Sequence, residues 1–292
     1  MIQPLAAAGP RPPSDAEFAR FRGLIEREAG IYLGDSKKAL LTARLIHRIR
    51  ELGLPSFAAY LRHVTDDDPA ERVRMLDRIC TNETHFFREP HHFQLLEQQA
   101  LPRWIEAARA GRRPRRIQAW SAGCATGEEP YSLAMTLLAA LPADEAWDVS
   151  ILATDLSTRA LAHAEAAIYS DQRASTVPAA MRKAYLLRGV GTQSGNVKIA
   201  PEARTRVRFE RLNLATDPYV GGTVDLIMCR NVLIYFRAET RAQVIARMTD
   251  RLPIGGYLFL GHAESLPSGE LPLRTVMPTV YQRVDGVRPG RR

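Results

Sequence analysis

The sequence predicts an α/β architecture: a parallel sheet covered by helices, preceded by an all-α segment. Three observations predict it. Ahead of residue 110, apolar residues recur at helical spacing. From Ile117 onward, short apolar runs alternate with helical segments, the mark of a parallel sheet covered on both faces. Ala119–Met135 reads as a strand end, a glycine turn and a helix start, the junction where open α/β sheets bind ligands.

The chain has 292 residues, enough to bury a full core and to suggest two domains. With 46% hydrophobic and 25% charged residues it resembles an ordinary soluble protein. No apolar run is long enough to span a bilayer, and the start lacks a basic region and apolar core of signal-peptide type. A cytoplasmic protein without membrane insertion is expected. Cys80, Cys124 and Cys229 are widely spaced and odd in number, which argues for reduced thiols and against a disulfide framework or zinc site. The formal net charge of +8 points to an acidic partner: nucleic acid, anionic membrane or a carboxylate-rich protein surface.

Four prolines within residues 1–13 suggest a disordered arm. Ser14 and Glu17 then fit a capping box ahead of Phe18, Phe21, Leu24 and Ile25. Ser36 is read as the cap of a second helix running through Leu52, with Leu41, Leu45 and Ile49 on its apolar side. Lys37, Arg44 and Arg48 fall on one stripe beside that face, either a solvated helix surface or a docking surface for acidic partners. Two further helices are predicted over 56–64 and 69–79.

The segment Cys80–Pro90 is dense in polar groups for a connector. Asn82, Thr84 and Arg88 are candidates to face a ligand with Phe86 and Phe87 beneath them, and a hinge whose Asn and Thr cap helix ends is the competing reading. A helix through Trp104 follows. His91 and His92 are adjacent, which places them on different faces, so no metal centre is expected there.

In the glycine turn, Gly123 and Gly127 permit tight bends and close approach of a ligand to the main chain. Glu128 and Glu129 suit the positive end of the following helix but repel phosphate. No Gly-x-Gly-x-x-Gly or Gly-Lys-Ser/Thr pattern is present, so a cationic, ribose-bearing ligand fits better than a dinucleotide, and S-adenosylmethionine is such a ligand. A second strand, 150–155, ends in Asp155, placed for ribose hydroxyls or for capping the next helix. Strands over 207–214 and 224–231 end in Asn213, Leu214, Arg230 and Asn231 at the same sheet edge. Residues 255–262 form a fifth strand, and 276–284 a last, antiparallel one. Between Ile168 and Val207, glycine-rich turns around 188–196 suggest a small antiparallel insertion, offering an edge to an extended peptide or forming a plain surface hairpin.

Thr81–Glu89 (TNETHFFRE), Trp120–Tyr131 (WSAGCATGEEPY), Ala153–Leu156 (ATDL) and Cys229–Phe236 (CRNVLIYF) together resemble the CheR-type chemotaxis receptor methyltransferases, in order from about Asp15 to about Val284. The resemblance implies a helical N-terminal domain (14–80), a linker contributing to the cofactor site (81–92) and a class I, Rossmann-like S-adenosylmethionine-dependent methyltransferase domain (93–285). A β subdomain (170–206) is inserted in it, and a basic tail occupies 286–292. It implies methyl transfer from S-adenosylmethionine to glutamates on the cytoplasmic helices of chemoreceptors, leaving S-adenosylhomocysteine. It also implies cofactor contacts at Asn82, Thr84, Arg88, Glu128, Asp155, Asn213, Leu214, Arg230 and Asn231. Ala125 stands where the family often has Ser. Some family members tether through a receptor's C-terminal peptide, and the compact turn at Arg188–Asn196 is read in favour of it. A monomer acting on the acidic surface of receptor helices, with Lys37, Arg44 and Arg48 as the docking stripe, is the expected arrangement.

A glutamate carboxylate is ionised at neutral pH and needs no general base, so positioning should dominate catalysis. Arg88 or Arg230 is placed to steer that carboxylate, and Tyr235 either donates a hydrogen bond to it or serves as an interface aromatic. The same fold could methylate RNA, but no Asn/Asp-Pro-Pro-Tyr/Phe-like tetrapeptide follows the fourth strand and no aromatic platform is evident, so no nucleic acid is expected. A non-catalytic sensor of S-adenosylmethionine is the remaining alternative.

Overall fold

The computed structural model describes residues 10–219, 221–266 and 271–286. Residues 1–9 of the expected arm and 287–292 of the expected tail lie outside the described residues. The chain divides into two compact units between Thr81 and Asn82.

The first unit contains α1 (Asp15–Ala29), α2 (Lys38–Glu51), α3 (Phe57–Arg62) and α4 (Pro69–Ile79). The Ser14–Glu17 capping box forms, with Glu17 N donating to Ser14 Oγ (3.2 Å) and Ser14 N to Glu17 Oε2 (2.6 Å). Ser36 does not cap α2: a 3-10 turn over Asp35–Lys37 leads into it, and Lys37 N is satisfied by the Gly34 carbonyl. Phe21, Ile25, Leu41, Leu45, Ile49, Phe57 and Tyr60 are fully buried, each large side chain contributing about 2–3 kcal/mol by removal from water.

In the second unit, α5 (Pro90–Leu95) and α6 (Leu101–Arg109) lead into β1 (Arg116–Ala122), α7 (Glu128–Ala140), β2 (Asp148–Asp155) and α8 (Thr158–Ala166). Then come β3 (Ile168–Ser170), α9 (Ala179–Tyr185), β4 (Leu186–Arg188), β5 (Asn196–Ile199) and α10 (Pro201–Arg204). The chain closes with β6 (Val207–Arg211), β7 (Leu226–Cys229), α11 (Ala238–Asp250), β8 (Tyr257–Leu260), β9 (Leu273–Met277) and β10 (Val280–Arg283). The main sheet has the order β6-β2-β1-β7-β8-β10-β9. The strands from β6 to β8 are parallel, and β10 is antiparallel to both its neighbours. Every residue of β7 and β8 is buried, as central strands covered on both faces require.

The order reverses at β1, with β2 and β6 on one side and β7 and β8 on the other. Such a switch point, at the carboxyl ends of β1 and β7, is where open α/β sheets bind ligands. The expected single strand over 276–284 is instead the hairpin of β9 and β10, turning at Pro278–Thr279 with Thr279 at φ 65. The half-exposed edge strand β9 lacks the apolar run that betrays a central strand. The antiparallel insertion has the order β3-β5-β4 and begins at Ile168 rather than 170, because Ile168 pairs with Lys198. No helix among the described residues is long and apolar enough to cross a membrane.

Candidate functional site

The carboxyl ends of β1, β2, β6 and β7 all deliver polar residues to the switch-point edge. After β1 the chain turns through Gly123 (φ 80) and Gly127 (φ 96), conformations that favour glycine. A Cβ at Gly123 would lie 2.3 Å from Val232 Cγ2, and one at Gly127 would lie 2.7 Å from Ala164 Cβ. Close packing against Val232 and α8 therefore fixes these glycines, in addition to any approach of a ligand.

Asp155 holds the turn from β2. Its Oδ2 accepts from Ala125 N (2.8 Å), and its Oδ1 from Ser157 N (2.9 Å) and, at 3.5 Å, from Asn82 Nδ2. The cap of α8 is Ser157, whose Oγ accepts from Ala160 N, so Asp155 is not spent as the cap itself. Asn213, after β6, accepts from Ala215 N through Oδ1, and the Leu214 carbonyl accepts from Tyr219 Oη (2.8 Å). After β7, Asn231 takes a left-handed φ of 60.

The segment Asn82–Glu89 is pinned to the rest of its unit. Phe87 N donates to Ser132 Oγ (3.0 Å), Thr176 Oγ1 donates to the Phe86 carbonyl (2.9 Å), and the buried Phe86 ring meets Tyr169 edge to face at 4.9 Å. Arg88 donates to the Glu83 carbonyl (3.2 Å) and is partly exposed. The Thr84 carbonyl lies 3.5 Å from Arg173.

Three buried oxygens at this edge have no hydrogen-bond donor among the described residues: Asn82 Oδ1, Glu128 Oε1 and Asn231 Oδ1. All are acceptors. Leaving such groups buried costs about 1–3 kcal/mol each, more for a charge, and is tolerated where a ligand completes them. An ammonium group, ribose hydroxyls and an adenine amine are the donors that S-adenosylmethionine offers, so these residues fit it. Glu128, fully buried at the first turn of α7, also accepts from Thr126 Oγ1 (2.7 Å). Arg173 Nη2 approaches Glu128 Oε1 to 2.5 Å as an ion pair without hydrogen-bond alignment.

Two residues the sequence reading missed shape the site. Arg173, from the insertion, lies over Glu128 and Thr126. Glu264 is buried and accepts from the backbone N–H groups of Asn231, Leu233, Ile234 and Gly261, which anchors the chain after β7. Both act across long sequence separations, and the only hint is charge in otherwise small or apolar surroundings.

Arg230 corrects an expectation. Its side chain is 1% exposed and faces Glu89 and Glu129, each at 3.4 Å, while it donates to the Arg88 carbonyl. It is a buried brace and is not free to steer a substrate carboxylate. Burial raises the Glu129 carboxyl above its ordinary range against the opposing pull of Arg230. Tyr235, in a short 3-10 turn, is partly exposed, and its hydroxyl makes no hydrogen bond among the described residues.

The supposed docking stripe is also corrected. Arg48 donates to both carboxylate oxygens of the fully buried Glu71 (2.8 and 2.6 Å), and Arg44 donates to the Ile79 carbonyl and Thr81. Only Lys37 remains an exposed cation of the three. His91 and His92 do not diverge: their rings meet edge to face, with centroids 4.3 Å apart. Burial, then the nearby Arg230, pushes His92 down to about 3. Burial likewise raises the free Cys124 and Cys229 thiols well above their usual values, which makes them unreactive.

A family described as CheR methyltransferase, SAM binding domain, matches residues 82–281, and CheR methyltransferase, all-alpha domain, matches residues 16–80. The chain belongs to the CheR methyltransferase family. It is 38% identical over 266 residues to chemotaxis protein methyltransferase 2 of Pseudomonas aeruginosa, covering 91% of this chain and 92% of that one. It is also 38% identical over 271 residues to the chemotaxis protein methyltransferase of Escherichia coli K12, covering 92% and 91%. Among solved structures, magnesium protoporphyrin IX methyltransferase from Synechocystis PCC 6803 with bound SAM aligns at 20% identity and a TM-score of 0.28. That alignment covers 68% of this chain and 66% of that one, a likeness too low to bear on the site. As a CheR methyltransferase, the chain uses S-adenosylmethionine and acts in chemotaxis.

Proposed function

We propose that this methyltransferase esterifies glutamate carboxylates on the cytoplasmic helices of chemoreceptors. The observation that carries this reading is the division of the site by hydrogen-bonding character. Buried acceptors without hydrogen-bond donors among the described residues (Asn82, Glu128, Asn231) suit the cofactor's N–H and O–H groups, whereas Arg88 and Tyr235 offer donors with little competition from the protein. Donors suit an ionised carboxylate substrate, which needs orientation and no base.

S-adenosylmethionine supplies a sulfonium methyl group that a carboxylate oxygen takes without losing a proton, the C–S electron pair remaining on sulfur. The chain's part is positioning. Asp155 fixes the glycine turn and is the expected ribose contact, with Glu128, Asn82 and Asn231 taking the ligand's N–H and O–H groups, beside Thr84, Asn213 and Leu214. Arg88 draws the substrate carboxylate in, and Tyr235 Oη holds the oxygen that does not attack, leaving the other free. Arg230 acts through the Arg88 carbonyl, as a positioning residue. Outside the site, β4 is an edge strand with Leu187 exposed at 52% and, two residues past its end, Val190 at 80%. This edge suits addition of an extended tethering peptide from a receptor. With a monomeric enzyme working in the cytoplasm, the exposed Lys37 contributes weakly to docking on acidic helices.

The test is incubation with methyl-labelled S-adenosylmethionine and a chemoreceptor cytoplasmic fragment, followed by base. Release of labelled methanol is the expected result. Label that survives base, label found in RNA, or no transfer despite cofactor binding would contradict the ester reading.

A further inference from the structure

The entry to α5 gathers three ligating side chains that the methyl-transfer site leaves out. The donor atoms of Glu89, His91 and His92 all lie within 4.8 Å of one another. Glu89 adopts a left-handed φ of 55, and Pro90 opens the helix immediately after it. That bend folds the Glu89 carboxylate over the first turn, so that Oε2 stands 3.5 Å from His92 Nδ1. His91 stands beside them with a partly exposed side chain.

Of the two ring nitrogens of His92, Nε2 is engaged and Nδ1 faces Glu89. Its Nε2 lies 2.9 Å from Thr279 Oγ1, and that hydroxyl donates to the Pro278 carbonyl at 2.6 Å. With the hydroxyl proton on the Pro278 carbonyl, the hydroxyl accepts from Nε2–H, and this tautomer carries its lone pair on Nδ1. Among the described residues the buried Nδ1 has no hydrogen-bond partner, His92 being 0% exposed, and Glu89 Oε2 likewise lacks a hydrogen-bond donor. Two buried lone-pair atoms facing each other call for a positive centre between them. Arg230 Nε, 3.4 Å from Glu89 Oε2 but without hydrogen-bond alignment, meets that need only for the carboxylate.

We propose that Glu89, His91 and His92 bind one transition-metal ion of zinc type. Two neutral imidazoles and one carboxylate, with a fourth position open to solvent or another ligand, form a donor set that zinc accepts. Arg230 and the helix N-terminus beside the cluster disfavour a hard cation held by charge alone. Bonding to imidazole nitrogen offsets that repulsion for zinc or nickel and not for magnesium or calcium. Ligand bonds of about 2.0–2.2 Å require the donors to draw in to roughly 3.3 Å of one another, which rotation of the partly exposed His91 supplies. The ion would take Glu89 Oε2 from Arg230, the residue that braces the Arg88 carbonyl, so metal occupancy is linked to the position of Arg88.

The experiment is calorimetric titration of the chelator-treated full chain with zinc chloride, with magnesium chloride as comparator and cobalt(II) absorption as the report on coordination. One saturable zinc equivalent is expected, with visible cobalt bands of four-coordinate intensity and no magnesium heat. Affinity should fall at least about tenfold in H91A and E89Q. His91 is partly exposed, so H91A keeps the test open if a buried His92 variant fails to fold. No saturable zinc heat, or equal zinc affinity in the wild type and H91A, would overturn the proposal. His92 and Glu89 would then be a proton-shared pair without metal.

Discussion

Two buried carboxylates, one in each unit, show how differently the same group is used. Glu71 in α4 is fully buried, and both its oxygens are engaged by Arg48, with Tyr60 Oη donating at 2.9 Å and Arg74 at 3.3 Å. Glu128 in α7 is equally buried, yet among the described residues one of its oxygens has no hydrogen-bond donor and is met only by the ion pair with the half-exposed Arg173, and Asn82 and Asn231 each carry another oxygen without a donor. A buried charge saturated by hydrogen bonds stabilises its scaffold, whereas one left with an unused acceptor can still take a hydrogen bond from a ligand.

The largest effect should come from D155A, which removes the acceptor for Ala125 N and Ser157 N together. Affinity for S-adenosylhomocysteine is expected to fall at least about 100-fold, near 3 kcal/mol, by calorimetry. R48A should cost a comparable amount, about 3 kcal/mol in a urea melt of the full chain, because it removes the two-pronged partner of the buried Glu71 and leaves only Tyr60 and the more exposed Arg74. Here ligand affinity should stay within about twofold, and a large loss of affinity would blur the contrast between the units. Y235F should lower kcat by roughly ten- to a hundredfold while leaving cofactor affinity unchanged, as removal of one substrate-orienting donor does. R173A should strengthen S-adenosylhomocysteine binding by about three- to tenfold, since it frees Glu128 for the ligand.

The smallest effect is on pH dependence. Burial raises Glu71, but hydrogen bonds from Arg48 and Tyr60 outweigh it and hold the carboxyl below its ordinary range. A lowered folded value means stability is fully present above the unfolded carboxylate pKa, about 4.5, and is lost as pH falls below it. Melts at pH 7 and pH 4 should therefore differ more for the wild type than for E71Q, and equal differences would remove Glu71 from the account.

Much of this was legible in the sequence, for reasons that are local. The parallel strands announce themselves as short apolar runs, and Gly123, Gly127 and Asp155 sit at strand ends where topology alone brings them together. The pairing of Arg48 with Glu71, 23 residues away, was not legible, so a stripe of surface cations was expected where a buried ion cluster stands. Arg230 was misplaced for the same reason: its partner Glu89 lies in a distant turn. Glu264 is one acid among many until the fold presents four backbone N–H groups to it. The adjacent His91 and His92 misled through helix geometry, because the left-handed Glu89 and the short first turn of α5 bring their rings together.

The central claim is that the unsatisfied acceptors at the switch-point edge are the cofactor site, and calorimetric titration of the full chain with S-adenosylhomocysteine tests it directly when wild type and E128Q are compared. The account predicts saturable 1:1 binding that weakens about tenfold or more in E128Q, since an amide keeps the shape and loses the charge. Absence of heat in folded, ligand-free wild type, or equal affinity in the two proteins, would contradict it.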